Sequence, residues 1–132
     1  MSSFALDISA FAKKAGENVN TVVRKVSIDL AKNIIDRSPV DTGRFRANWI
    51  TSLDAPSTDT TDALDLTGAT SIELAIASVA DLQTGQTVYI ANNLPYAVPL
   101  ENGHSQQAPN GMVGLAAIEF QSYVDKAVSE LP

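Results

Sequence analysis

The 132-residue chain contains no cysteine and a single histidine. The first absence excludes a disulfide framework, a thiolate metal cluster and a cysteine nucleophile, and the second excludes a histidine-rich metal centre. Long apolar runs are missing as well. No stretch approaches the roughly 18 uninterrupted residues that span a bilayer, and the first residues lack the basic, apolar and small-residue series of a secretion signal. The chain is therefore expected to start in a cytoplasm and to have no membrane partner. Phosphate-binding glycine loops, a nucleophile elbow and a helical pair of histidines are also lacking, so no enzyme and no cofactor is expected.

Basic residues are scarce over most of the chain. Residues 1–46 hold eight of the nine lysines and arginines with five acids, for +3, whereas residues 47–132 hold Lys126 and ten acids, for −9. The overall charge of −6 argues against a stand-alone nucleic-acid binder working by phosphate neutralisation. A chain polarised in this way suits head-to-tail contact between identical subunits.

What is present is an ordinary globular composition, 45% hydrophobic and 18% charged, in a length that allows one domain. Phe4, Ile8, Phe11, Ala15, Val19, Val22, Val26, Leu30 and Ile34 recur at steps of three and four, which predicts a helix over 4–37. It should stop before Pro39 and break near Gly16-Glu17-Asn18, where Val19 starts a second segment. Pro39 to Gly43 are turn formers, with Asp41 expected to bond the following amides. Phe45, Ala47, Trp49, Thr51 and Leu53 alternate with polar neighbours and predict a strand, with Trp49 as a core anchor. Residues 54–68 read as an exposed, mobile acidic loop. Residues 70–82 are assigned to a helix on the capping-box pattern Thr70-Ser71-Ile72-Glu73. Val88 to Ala91 predict a short strand, 94–111 an ordered Pro/Gly loop with one helical turn, and 112–131 a closing helix. The fold class expected is α+β: a long N-terminal helix and a C-terminal helix packed on a small, mainly antiparallel sheet. The single domain divides into an N-terminal helical region (1–37), sheet and loops (38–111) and the C-terminal helix (112–132).

Glu101 and His104 lie three apart, but no third ligand stands near, so no metal site is expected. Arg44 and Arg46 close the basic part of the chain beside a turn, which suggests an intersubunit or interlayer contact with carboxylates such as those of the 54–65 loop. The segment 94–112 is the second expected interface, through Tyr96, Leu100, Glu101 and Met112. Asp54, Asp59, Asp62 and Asp65 cannot be buried without partners, so their loop is expected to face a channel or an adjacent layer.

Two segments also carry a resemblance. Ser38-Pro39-Val40-Asp41-Thr42-Gly43-Arg44-Phe45-Arg46-Ala47-Asn48-Trp49 resembles the SPVDTGRLR-x-SW signature of small tail-component proteins of tailed bacteriophages, with Phe45 for the common leucine and Asn48 for serine. Asn92-Asn93-Leu94-Pro95-Tyr96-Ala97, continuing through Leu100-Glu101, Gly103 and Ser105 to Gln107-Ala108-Pro109 and Gly111-Met112-Val113, is similar to that family's second block. The resemblance implies a tail-terminator-like α+β fold and a structural role at the head-tail junction or top of the tail: tail completion, tail termination or head-tail connection. It further implies a homo-oligomeric, hexameric ring beside connector, tail-terminator or tail-tube proteins, with DNA passing through without specific binding. Location would be the virion, and the host cytoplasm during assembly. The alternative is a cytoplasmic adaptor or chaperone that binds another phage protein.

Overall fold

The computed structural model describes residues 2–7 and 19–131. In chain order the elements are β1 (Ser2–Asp7), α1 (Val19–Arg37), α2 (Arg44–Ala47), β2 (Ile50–Leu53), α3 (Ala69–Ser78), β3 (Thr87–Asn92), α4 (Ala97–Glu101) and α5 (Val113–Ser129). The three strands form one antiparallel sheet in the order β1-β3-β2, with Ser2 opposite Asn92 and Asp7 opposite Thr87 on one side, and Ile50 opposite Ala91 and Leu53 opposite Val88 on the other. This is the α+β class expected, with terminal helices packed together and against the sheet.

Two local assignments differ from the sequence reading. The helix expected from Phe4 is a strand at its start: Ser2–Asp7 pair along the whole of β3. Phe4 and Leu6 also alternate with period two, and a ladder of backbone hydrogen bonds outweighs a local helical period. The remainder of that expectation, Ile8 to Asn18 with its break, lies outside the described residues. Helix α1 does begin at Val19. The strand expected from Phe45 begins only at Ile50, because Arg44–Ala47 wind one helical turn, with Ala47 N–H donating to the Gly43 carbonyl at 3.1 Å. Phe45 and Trp49 stand four apart, a spacing that suits a helical turn as well as a strand, and both are buried.

Helix α1 organises the core. Val22, Val26, Leu30 and Ile34 form one row and Val23, Ser27, Ala31 and Ile35 a second beside it, all of them buried. Paired rows widen the apolar face beyond a single stripe, and α1 uses that width to pack on both α5 and α3. One continuous cluster joins these residues to Val88 and Ile90 of β3, Val79 and Leu82 beyond α3, and Met112, Ala116, Val124 and Ala127 of the α5 face. At the sheet margins α3 packs on β2 and α5 touches β1. The helices therefore run α5, α1, α3 across the sheet from its β1 edge to its β2 edge.

The end of α1 is tied to α5 by a polar cluster. Arg37 Nη2 donates to Glu119 Oε2 at 2.8 Å, and Tyr123 Oη donates to Glu119 Oε1 at 2.9 Å. Hydrogen bonding from Arg37, and then from Tyr123, holds the Glu119 carboxyl below its ordinary range. Burial first, and the Glu119 carboxylate second, push the Tyr123 phenol up to about 12.

Candidate interaction surface

The segments 38–49 and 92–113 are brought against each other by side chains that behave like backbone. Gln107 Oε1 accepts from Val40 N–H at 2.8 Å, and Gln107 Nε2 donates to the Val40 carbonyl at 3.0 Å, so one amide side chain pairs with a turn as a strand residue would. Trp49 Nε1 donates to Ser38 Oγ at 2.7 Å, and that hydroxyl donates to the Ile34 carbonyl at 2.7 Å, anchoring the turn to the end of α1. Asn92 Nδ2 reaches the Phe45 carbonyl at 3.0 Å. Thr42, rather than the expected Asp41, takes the following amide: Arg44 N–H donates to Thr42 Oγ1 at 3.3 Å, and Asp41 stays exposed. A threonine hydroxyl two residues ahead closes the same short turn.

Between these segments lies an open groove of about 410 Å³. Phe45 forms its floor, edge-on to Trp49 at 5.7 Å and tilted against Tyr96 at 5.9 Å. Val40, Leu100 and Tyr96 supply further apolar wall, with Asp41, Arg44 and Ser105 among its polar residues. Arg44, Tyr96 and Leu100, three of the residues expected at an interface, thus meet in one place. The groove can hold an apolar side chain under a polar rim. Phe45 and Gln107 were missed as part of it, although both stand inside the two quoted motifs.

Arg46, Glu101 and Met112, also expected at an interface, are held by their own subunit. Arg46 spreads its guanidinium over three carbonyls: Ser38 at 3.2 Å, Leu66 at 3.0 Å and Asp36 at 3.0 Å. Glu101, expected at an interface, caps α5: Oε1 accepts from Met112 N–H at 3.1 Å and Val113 N–H at 2.9 Å, and Oε2 from Gly114 N–H at 3.0 Å. The open donors of a helix N-terminus draw the carboxylate inward. Met112, also expected to need a neighbour, is fully buried by this chain alone. His104 is exposed, and among the described residues no group of three or more His, Cys, Asp or Glu could hold a metal.

The acidic loop is tethered rather than free. Asn48 Oδ1 accepts from Thr61 N–H at 2.9 Å while Asn48 Nδ2 donates to the Thr61 carbonyl at 3.0 Å, and Asn93 Nδ2 donates to the Ser57 carbonyl at 2.7 Å. Arg44 reaches the loop of its own chain, pairing with Asp62 at 3.3 Å and with the Thr61 carbonyl at 3.3 Å. The four aspartates divide accordingly. Asp62 has a side chain 98% exposed, and Asp59 is exposed. Asp54, at φ +69°, accepts from Gln86 Nε2 at 2.9 Å where β2 ends.

Asp65 corrects the expectation of a wet loop. It is only 8% exposed, and its Oδ2 accepts from both the Ser71 amide at 2.8 Å and the Ser71 hydroxyl at 2.7 Å, capping α3 in place of the expected Thr70–Glu73 box. Burial raises its pKa, but the Ser71 bonds, with those from the Thr70 and Gly68 amides, outweigh that and keep the carboxyl below its ordinary value. Gly43 makes this possible: at φ +91° it lies so close to the Asp65 backbone that a Cβ would stand 2.6 Å from it.

A second groove, also of about 410 Å³, opens beside this loop, lined by Ile50, Leu64 and Leu74 with Asp59 among its polar residues. Leu64 is 65% exposed and Leu74 63% exposed. Leu64 stands in the segment expected as an exposed acidic loop, where the polar residues around it obscure an apolar side chain.

No helix among the described residues is long and apolar enough to cross a membrane. No curated protein and no solved structure matches the chain significantly. The family model for HK97-gp10-like proteins, described as a bacteriophage HK97-gp10 tail component, matches residues 2–103, a span that takes in the sheet, α1 to α4 and the lining of the first groove except Ser105 and Gln107. The chain belongs to the HK97-gp10-like family of bacteriophage tail components.

Proposed function

We propose that this tail component is a structural part of the virion at the head-tail junction or the top of the tail, repeated as a ring around the DNA channel. The family match over residues 2–103 carries the reading. The charge division between residues 1–46 and 47–132 supports it, since a ring needs one face to meet a different face of the next copy. Neighbours would be a connector, a terminator or the tube. Arg44, Tyr96 and Leu100 offer a groove to such a neighbour, and Asp59 and Asp62 are the loop carboxylates left to face a channel or an adjoining layer. A negative wall repels phosphates and lets DNA slide.

The experiment is deletion of the gene with electron microscopy of the lysate, together with mass spectrometry of wild-type particles. The expected result is the chain in the particle, and filled heads and tails that fail to join, or tails of wrong length, without it. Infectious particles that lack the chain would refute the role. Asp59→Asn with Asp62→Asn then separates channel from layer: normal joining with slowed ejection speaks for the channel, failed joining for a layer contact.

A further inference from the structure

The connection between α4 and α5 holds two asparagine-glycine steps, Asn102-Gly103 and Asn110-Gly111. The fold sets them against each other. A Cβ on Gly103 would stand 2.5 Å from the Pro109 carbonyl oxygen, and a Cβ on Gly111 2.5 Å from the Glu101 carbonyl oxygen, so each glycine abuts the residue that precedes the other asparagine. Both also take left-handed φ, +86° and +79°. Glycine is therefore required at both places. The two asparagines are exposed, and their carboxamides make no hydrogen bond among the described residues.

An exposed asparagine followed by glycine carries a reaction of its own. The glycine amide nitrogen can attack the asparagine side-chain carbonyl carbon within the same chain, closing a five-membered ring, and the missing Cβ leaves that nitrogen unhindered. Hydroxide takes the N–H proton as the new C–N bond forms; the bond from that carbon to the carboxamide nitrogen breaks, and ammonia departs with a proton from water. A cyclic imide remains. Water opens it at one carbonyl to give aspartate, or at the other to give isoaspartate, in which the main chain runs through the former side chain and is one methylene longer. One water is consumed and one ammonia released.

The two steps differ in what holds them. Asn102 ends α4 at φ −84° and ψ 13°, with its N–H donating to the Val98 and Pro99 carbonyls at 3.0 and 3.2 Å and Gly103 N–H to the Leu100 carbonyl at 3.1 Å. Turning the Gly103 nitrogen onto the side chain means unwinding that helix end. Asn110 instead lies in the turn Ala108-Pro109-Asn110-Gly111, closed by one bond from Gly111 N–H to the Ala108 carbonyl at 3.2 Å. Pro109 and Asn110 are both exposed, so Asn110 can swing over an anchored Gly111. Opening a single neutral bond of this kind slows ring closure only about tenfold.

We infer that Asn110 is a site of spontaneous modification, where attack by the Gly111 nitrogen converts the asparagine to aspartate or isoaspartate. The isoaspartyl product bears on α5. Its extra methylene enters the chain directly before Gly111, which is wedged against the Glu101 carbonyl, and the Glu101 carboxylate takes the Met112, Val113 and Gly114 amides at the start of that helix. A longer main chain at this point displaces the first turn of α5 from its cap.

The test incubates the full chain in mildly alkaline heavy-oxygen water and follows it by isoelectric focusing and peptide mapping. The expected product is one unit more negative than the native −6, carries one heavy oxygen at residue 110, and forms at a rate proportional to hydroxide. Asn110→Gln, whose longer side chain would have to close a six-membered ring, should abolish it, and Asn102→Gln should not. The purified isoaspartyl form should unfold at lower urea, its folding equilibrium at least about tenfold poorer, as for one lost bond to a charged acceptor. A folded chain that stays unconverted at residue 110 while the urea-unfolded chain converts would overturn the inference. So would conversion confined to Asn102. An isoaspartyl form as stable as the unmodified chain would refute the effect on α5.

Discussion

Removing the Glu101 carboxylate should destabilise the subunit without touching any partner. Three consecutive amides at the start of α5 converge on it at 2.9–3.1 Å, and one of them belongs to the fully buried Met112. A hydrogen bond to a charged acceptor contributes roughly 1.5–3 kcal/mol net, and a lost helix cap roughly 0.5–2 kcal/mol. The three bonds share one carboxylate and one helix end, so they do not add in full. Gly114 is exposed, so water can satisfy its amide once the side chain is gone, whereas the Met112 amide loses its partner under cover. Glu101→Ala should therefore cost about 2–4 kcal/mol. Glu101→Gln keeps an oxygen for Met112 and Val113 but turns an amide group towards the Gly114 N–H, and should cost about half as much. Urea unfolding of both variants measures this: the midpoint should fall in the order wild type, Gln, Ala with unchanged slope. An Ala variant within about 0.5 kcal/mol of wild type would falsify the cap. If that variant also lost self-association, Glu101 would return to the surface role its sequence position suggested.

Three further outcomes follow from the same geometry. Because the folded pKa of Asp65 lies below its unfolded value, the folded state resists protonation; the stability it adds is full above about pH 4 and is lost as pH falls through the lowered pKa. Asp65→Asn should cost about 1 kcal/mol at neutral pH and flatten that acid limb in pH-dependent urea melts, and an unaltered limb would count against the cap on α3. Tyr123 works in the opposite sense: its phenol titrates at about 12 when folded, so above about pH 10 the unfolded chain ionises first and stability declines, which Tyr123→Phe should abolish and tyrosinate absorbance near about 295 nm should track. Arg46→Lys should cost about 1–2 kcal/mol, because an ammonium cannot reach the carbonyls of Asp36, Ser38 and Leu66 together, and a variant as stable as wild type would show that the planar fork is not needed.

Much of the architecture was legible because it rests on periodicity. The row Val22, Val26, Leu30, Ile34 is the core that three-and-four spacing indicated, and α5 lies where a closing helix was expected. What escaped depends on contacts distant in sequence. Ser2–Asp7 form a strand because β3 offers them an edge some 85 residues away along the chain, by subtraction of the paired positions. Phe45 and Trp49 fit two periods equally, and the left-handed Gly43 decided between them by starting a helical turn. Asp65 looked like its three neighbours in an acidic loop; only the fold of Gly43 against it reveals that this carboxylate serves a helix. Of the surface, the groove residues Arg44, Tyr96 and Leu100 were found through their place in or beside turns, while Leu64 was obscured by the polar residues around it and Leu74 by the mostly apolar helix that carries it.

Five of the motif residues are engaged within the subunit itself. Gly43 is fixed by its close approach to Asp65, Trp49 by Ser38, Arg46 by three carbonyls, Gln107 by Val40, and Glu101 by the first turn of α5. Each is occupied within the subunit, so these positions of the two segments hold this chain's own fold. Large apolar side chains that the subunit leaves uncovered include Tyr96 within the second segment, Leu74 on α3 and Ile118 on α5. Substitutions there should leave folding intact, whereas substitutions at Gly43, Arg46, Trp49, Glu101 and Gln107 should act through stability. That separation of effects lets the uncovered side chains be altered without disturbing the domain that carries them.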